Sequence, residues 1–97
     1  MYKFITLNEA NDKKHKWAVT LKNLKTNRYK TIKFGSYGMD DYTITKDDEQ
    51  KMRYEARHKK NENWDDPSTA GFWSKHLSWN EKSIHKSLNN TLKKYNL

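Results

Sequence analysis

Residues 16–34, KWAVTLKNLKTNRYKTIKF, decide the fold, because two runs of alternating apolar and polar residues flank a short polar loop. In the first run Trp17, Val19 and Leu21 share one face, opposite Lys16, Ala18, Thr20 and Lys22. In the second, Arg28 to Phe34, the residues Ile32 and Phe34 fall together while Tyr29, Thr31 and Lys33 take the reverse. Asn23-Leu24-Lys25-Thr26-Asn27 then reads as the loop of a hairpin. Residues 2–7 add a strand, with Phe4 on one face and Ile5 and Leu7 on the other. The result is an antiparallel sheet with an apolar face and a basic, hydroxyl-rich face, as expected when one side of a sheet meets water.

Downstream the period changes. Gly35, Gly38 and Asp40-Asp41 break the strand pattern and predict a turn-rich loop around Tyr37 and Tyr42. Thr45 followed by Asp48 resembles a capping box, and Asp47, Asp48 and Glu49 suit the positive end of a helix expected to run to about Asn61. Its apolar stripe is thin, Met52 and Ala56 with Tyr54 to one side. Glu49, Arg53 and Arg57 form an i, i+4 ladder, and Glu55 is spaced to pair with Lys59. Asp66 before Pro67 predicts the start of a short helix carrying Phe72, Trp73, His76, Leu77 and Trp79. Asn80 is the expected cap of a third helix, whose Ile84, Leu88, Thr91, Leu92 and Tyr95 make the clearest amphipathic stripe in the chain. The predicted fold class is α+β, a three-stranded antiparallel sheet over residues 1–35 followed by three helices over 45–95, packed as one domain spanning 1–97.

Composition bounds the function. A chain of 97 residues buries only about 60 to 65% of its unfolded surface, so its few large apolar side chains are needed inside. Cysteine is absent, which excludes a disulfide framework, a thiolate nucleophile and a Cys-ligated zinc site. No apolar stretch is long enough to span a bilayer and the N-terminus lacks the pattern of a signal peptide, so a soluble protein inside a cell or a virion, without membrane attachment, is expected. The net charge is +8 and uneven. Residues 1–35 hold nine Lys and Arg against two acids, 36–70 hold six against nine, and 71–97 hold five against one. Basic ends favour an anionic partner, because each cation that engages a phosphate releases condensed counterions. The plainer alternative is a surface charge that keeps a small protein in solution.

The strings FGSYGMDDYT, KMRYEARHKKNENW and AGFWSKHLSWN, followed by the terminal amphipathic helix, carry a resemblance. Their spacing resembles that of a group of small proteins encoded by large nucleocytoplasmic DNA viruses: an FG-x-x-G turn ahead of DYT, then RY-x-x-RH-x-x-x-E-x-W, then AGFWS and L-x-WN. On this chain the pattern falls on Phe34, Gly35, Gly38, Asp41–Thr43, Arg53, Tyr54, Arg57, His58, Glu62, Trp64, Ala70–Ser74, Leu77, Trp79 and Asn80, and it covers about the C-terminal two thirds. Asp65 and Asp66 stand where that pattern is more basic. The resemblance implies a viral setting, in host cytoplasm or nucleus or packaged in the virion; no activity is attached to the pattern, so it implies none.

Two basic surfaces emerge as candidate nucleic-acid contacts. One is the first helix, with Arg53, Arg57, Lys59 and Lys60 to follow a phosphate backbone and His58 nearby. The other is the sheet and hairpin, with Lys16, Lys22, Arg28, Lys30 and Lys33. Each has an ordinary counterpart, an ion-pair ladder on a solvated helix and the charged outer face of a sheet. Trp64, Phe72, Trp73 and Trp79 are assigned to the core rather than to base stacking, and Tyr37 and Tyr42, on a glycine-flanked loop, are the expected exposed stackers. The predicted function is phosphate-dominated binding of nucleic acid, DNA or RNA, with little base specificity.

Two alternatives stand beside it. One is docking onto another viral or host protein through exposed aromatics such as Trp73 and Trp79. The other is a metal-dependent nuclease built on His58 with Asp41 and Asn61 or Glu62. The four histidines show no HExxH or paired spacing, and no P-loop, dinucleotide fingerprint or GxSxG occurs, so no catalytic residue, resident metal or cofactor is assigned.

Overall fold

The computed structural model describes all 97 residues. Strands β1 (Tyr2–Glu9), β2 (His15–Asn23) and β3 (Tyr29–Ser36) form one antiparallel sheet in the order β1-β2-β3. Helices follow: α1 (Tyr42–Thr45), α2 (Asp48–His58), α3 (Ala70–Trp73) continuing directly into a π-helical segment (Ser74–Ser78), and α4 (Ile84–Lys94). The α+β architecture matches the reading of the sequence, with a single turn of helix added at α1.

The hairpin closes as its residues require. Asn23 Oδ1 accepts from the Lys25 and Thr26 amides at 2.9 and 3.3 Å, and Asn27 takes the left-handed conformation, φ 59°, that asparagine tolerates. Pairing of Trp17 with Phe34 and of Val19 with Ile32 sets all four residues on the core side. Strand β1 departs from simple alternation. Phe4 pairs with Leu21 and Thr6 with Thr20, which leaves Ile5 as the extra residue of a β-bulge. The bulge resets the alternation, so Phe4 and Leu7 both pack on the core and Ile5 is 44% exposed. The expectation that Leu7 lies opposite Phe4 is thereby corrected.

Two apolar clusters result. Val19, Leu21, Ile32 and Phe34 of the sheet meet Phe72, Trp73 and Leu77, and Ile84, Leu88, Leu92 and Tyr95 of α4 pack around them. The Trp73 indole N–H donates to the Pro67 carbonyl at 2.8 Å, so its burial leaves no orphan donor. A second cluster of Tyr42, Tyr54 and Trp79, with Trp64 against it, joins α1 and α2 to the end of the π-helical segment.

Helix starts differ from the expected caps. Asp47, not Thr45, caps α2 by accepting from the Glu49 and Gln50 amides, and the helix ends at His58, before Asn61. Asp66 closes a tight turn onto Ser68, and Thr69 caps α3 by accepting from the Phe72 amide at 3.2 Å. Ser83, not Asn80, caps α4. Each competing cap lies within a few residues of the predicted one, where short hydroxyl and carboxylate side chains are near-equivalent acceptors and packing selects among them. The inward face of α2 is also different: Tyr54 is buried and His58 half-buried, whereas Met52 is 68% exposed. The larger ring removes more apolar area from water than the thioether, so it takes the inner position.

Candidate nucleic-acid interface and neighbouring cleft

The strand register lays three rows across the outer face of the sheet: Lys3, Lys22 and Tyr29; Thr6, Thr20 and Thr31; and Asn8, Ala18 and Lys33. The Lys22 ammonium lies 5.8 Å from the centre of the Tyr29 ring, which is 64% exposed, and the Thr20 and Thr31 hydroxyls are 3.4 Å apart. The face therefore offers cations, hydroxyl donors and one aromatic ring to solvent. Tyr29 is a candidate contact that sequence reasoning passed over, although its position on the reverse of the apolar alternation already marked it as outward. Arg28 is exposed in the hairpin, without an ion pair.

The other sheet residues are placed differently. Lys16 lies 2.7 Å from Asp41, with 15% of its side chain and 4% of that of Asp41 exposed, so it belongs to a buried ion pair and leaves the candidate surface. Lys33 reaches Asp12 at 3.4 Å. That carboxylate accepts from the His15 ring at 2.9 Å and from the Lys14 amide at 3.0 Å, which hold it well below the usual carboxylate range. Lys30 shares the alternation of Ile32 and Phe34 and is exposed at the end of the sheet. Its charge helps lower Asp66, whose main stabilisation comes from the hydrogen bonds of Ser68.

On α2, Arg53 reaches Glu49 at 3.8 Å, and Arg57 and Lys59 are exposed without an acidic partner. Lys59 and Lys60 fall beyond the helix end, so the expected row of Arg53, Arg57, Lys59 and Lys60 becomes a pair of arginines and a separate basic corner. Glu55 pairs with Lys75 at 3.3 Å and not with Lys59. Tyr37 is exposed as expected, but Tyr42 is not: it is 6% exposed, and its hydroxyl donates to Asp48. That hydrogen bond, with burial, pushes the Tyr42 phenol up to about 12. Asp41 caps α1 beside it by accepting from the Thr43 amide.

Between the end of the sheet and the helices lies a cleft of about 390 Å³. Along its wall the rings of Trp79, Tyr54 and His58 form a stack, with centroids 4.5 and 4.3 Å apart. His58 Nδ1 lies 3.2 Å from Glu62 Oε2, and Glu62 Oε1 accepts from the Trp64 indole at 2.9 Å. This carboxylate sits so close to α3 that a Cβ at Gly71 would meet Glu62 Cδ at 3.0 Å, so a larger residue there would require the Glu62 side chain to shift. The Ser78 hydroxyl, also at the cleft, is buried without a partner. His58, Asp41 and Glu62 share these walls, as the nuclease alternative requires. However, Asp41 is engaged by Lys16 and by the Thr43 amide and hydroxyl, and no three His, Asp or Glu side chains are grouped to hold one metal ion.

Residues 5–58 match the family of unknown function DUF5754, more than half of the chain. The chain belongs to this family. The DUF5754 match takes in β1 from Ile5 onward, β2, β3, α1 and α2, and ends at His58, the last ring of the stack. Glu62, the π-helical segment and α4 lie outside it. Of the residues carrying the resemblance at sequence level, Phe34, Gly35, Asp41, Tyr54, His58, Glu62, Ala70, Gly71, Ser74 and Trp79 all line the cleft. No curated protein and no solved structure matches the chain.

Proposed function

We propose that this protein binds nucleic acid, DNA or RNA, chiefly through phosphates and with little base specificity, using the outer face of the sheet, the hairpin and the exposed arginines of α2. The observation that carries this reading is the state of the cations: only Lys16, Lys33, Arg53, Lys75 and Lys86, five of twenty Lys and Arg, have a carboxylate within 4.0 Å. The remaining fifteen have no carboxylate that close, so those that meet a polyanion displace its counterions without first breaking an ion pair of the protein. Tyr29 and Tyr37 supply exposed rings for sequence-tolerant stacking beside those charges. The resemblance over residues 34–80 supports a viral protein acting in the host cytoplasm or nucleus, or carried in the virion. No helix is long and apolar enough to cross a membrane.

The test is a salt series with labelled duplex and single-stranded oligonucleotides. If about four phosphates are engaged, duplex affinity falls roughly a hundredfold between 50 and 200 mM salt. Lys22→Glu and Arg57→Glu each flatten the slope by about one phosphate equivalent. Absence of binding at low salt, or affinity indifferent to salt, overturns the reading.

A second reading, docking of another protein, loses Trp73 and Trp79 as its surface, since both are buried. It draws instead on Tyr37 and Ile44, which are exposed and line one groove with Trp17. A partner that co-purifies through nuclease treatment and high salt favours it.

A further inference from the structure

A second, smaller pocket of about 220 Å³ opens between the π-helical segment and α4, on residues that take no part in the sheet face. Its walls are Lys75, His76, Asn80, Asn90, Thr91 and Lys94, with no apolar and no acidic side chain among them. We propose that this pocket holds a single phosphate group, as the free ion or as a phosphomonoester. This goes beyond general backbone binding and stands whether or not the sheet engages nucleic acid.

Free donors remain at the pocket. The Asn80 side chain, released from capping because Ser83 starts α4, makes no hydrogen bond within the protein. Asn90 uses one amide hydrogen on Glu81 at 3.2 Å and keeps the other. Lys94 has no carboxylate partner, its ammonium lying only over the Tyr95 ring at 5.4 Å. Lys75 also lines the pocket, but its ammonium donates to Glu55 and to the Trp79 carbonyl, both at 3.3 Å, so it contributes a partly neutralised charge and one spare N–H. Neither Glu55 nor Glu81 lines the cavity. Burial holds His76 below its ordinary value, partly offset by its hydrogen bond to the Trp64 carbonyl, and the charges of Lys75 and Lys94 add to the lowering. Lys75 is lowered by burial and by Lys51 and Lys94, against the pull of Glu55. A phosphate accepts a charge-assisted hydrogen bond from the free Lys94 ammonium and further hydrogen bonds from the Asn80 and Asn90 amides, with the charge of Lys75 close by. Lys75 and His76 come from the π-helical segment, a geometry often found at functional sites, and Asn80 follows two residues after its end.

The experiment is a titration of the whole chain with inorganic phosphate, followed by amide NMR shifts, against sodium chloride at matched ionic strength. The expected result is saturable shifts confined to residues 75–80 and 90–94. Asn80→Asp keeps the shape and adds a negative charge, and is expected to weaken binding by about tenfold or more. Lys94→Gln, at an exposed position, weakens it several-fold and carries the test if Asn80→Asp does not fold. In a competition arm, displacement by a 5′-phosphorylated dinucleotide but not by its hydroxyl-ended form identifies a nucleotide or strand end as the source. Displacement by neither leaves the free ion as the source. Unsaturable shifts spread over the lysines of the sheet, or a folded variant that titrates like the wild type, overturns the proposal.

Discussion

Lys16 and Lys22 stand six residues apart on the same side of β2 by alternation, yet their surroundings give them different work. Lys16 is paired with the buried Asp41, which also caps α1, so Lys16→Ala leaves that carboxylate desolvated with only Thr43 as donor. A loss of about 3 kcal/mol in stability is expected from urea denaturation, with little change in oligonucleotide affinity once the folded fraction is corrected for. Lys22→Glu is expected to do the reverse, weakening nucleic-acid binding while the denaturation midpoint stays nearly unchanged. Titration at His76 gives a second prediction at this scale. Its Nε2–H donates to the Trp64 carbonyl at 2.7 Å, and burial depresses its affinity for a proton below the ordinary value of 6.5. The unfolded chain therefore binds a proton more readily, so the stability present above about pH 6.5 declines as pH falls through that value towards the depressed one. Thermal melts between pH 7.5 and 5 should show this decline in the wild type and a shallower one in His76→Gln.

Among the elements, β1 shows how one residue can reset a strand. Phe4 and Leu7 reach the same core only because Ile5 is looped out of the pairing. Deleting Ile5 removes the bulge and leaves Phe4, Thr6 and Leu7 opposite Leu21, Thr20 and Val19 in regular alternation, so Phe4 and Leu7 both keep the core face. Chemical denaturation is expected to show a loss of about 2 kcal/mol for Leu7→Ala, the burial of one leucine, whereas the Ile5 deletion should cost under about 1 kcal/mol and Ile5→Thr should lie within about 0.5 kcal/mol of wild type. The bulge escaped a reading by alternation because that reading assumes one residue per pairing step, and the partner strand is what reveals the extra one. The α4 stripe was legible for the opposite reason. Its spacing holds over three turns, and one face of the helix packs against the core without interruption.

For the molecule as a whole, the division of labour between rings and cations is the organising feature. Trp73 and Trp79 are buried, Trp17 and Trp64 are half-buried against the two clusters, and most of the lysines and arginines face outward. This arrangement is expected of a chain too short to leave large rings idle in solvent. Along the cleft the same economy joins residues far apart in sequence, since Gly35, Asp41, His58, Glu62, Gly71 and Trp79 share its walls. The individual strings were visible in the sequence, but their meeting in one concavity was not, because no local period links a strand end to a π-helical segment.

Sequence by itself determined the hairpin, the order of sheet and helices, the membership of the main core and the excess of positive charge. Each of these follows from side-chain period, turn chemistry or composition, which act within a few residues. Only the tertiary structure decided that Lys16 is bound to Asp41 while Lys22 is free, that Tyr42 is inside while Tyr29 is outside, and which of several nearby side chains caps each helix. Those outcomes depend on partners up to 25 residues away and on what remains exposed after packing, and neither quantity exists until the chain has folded.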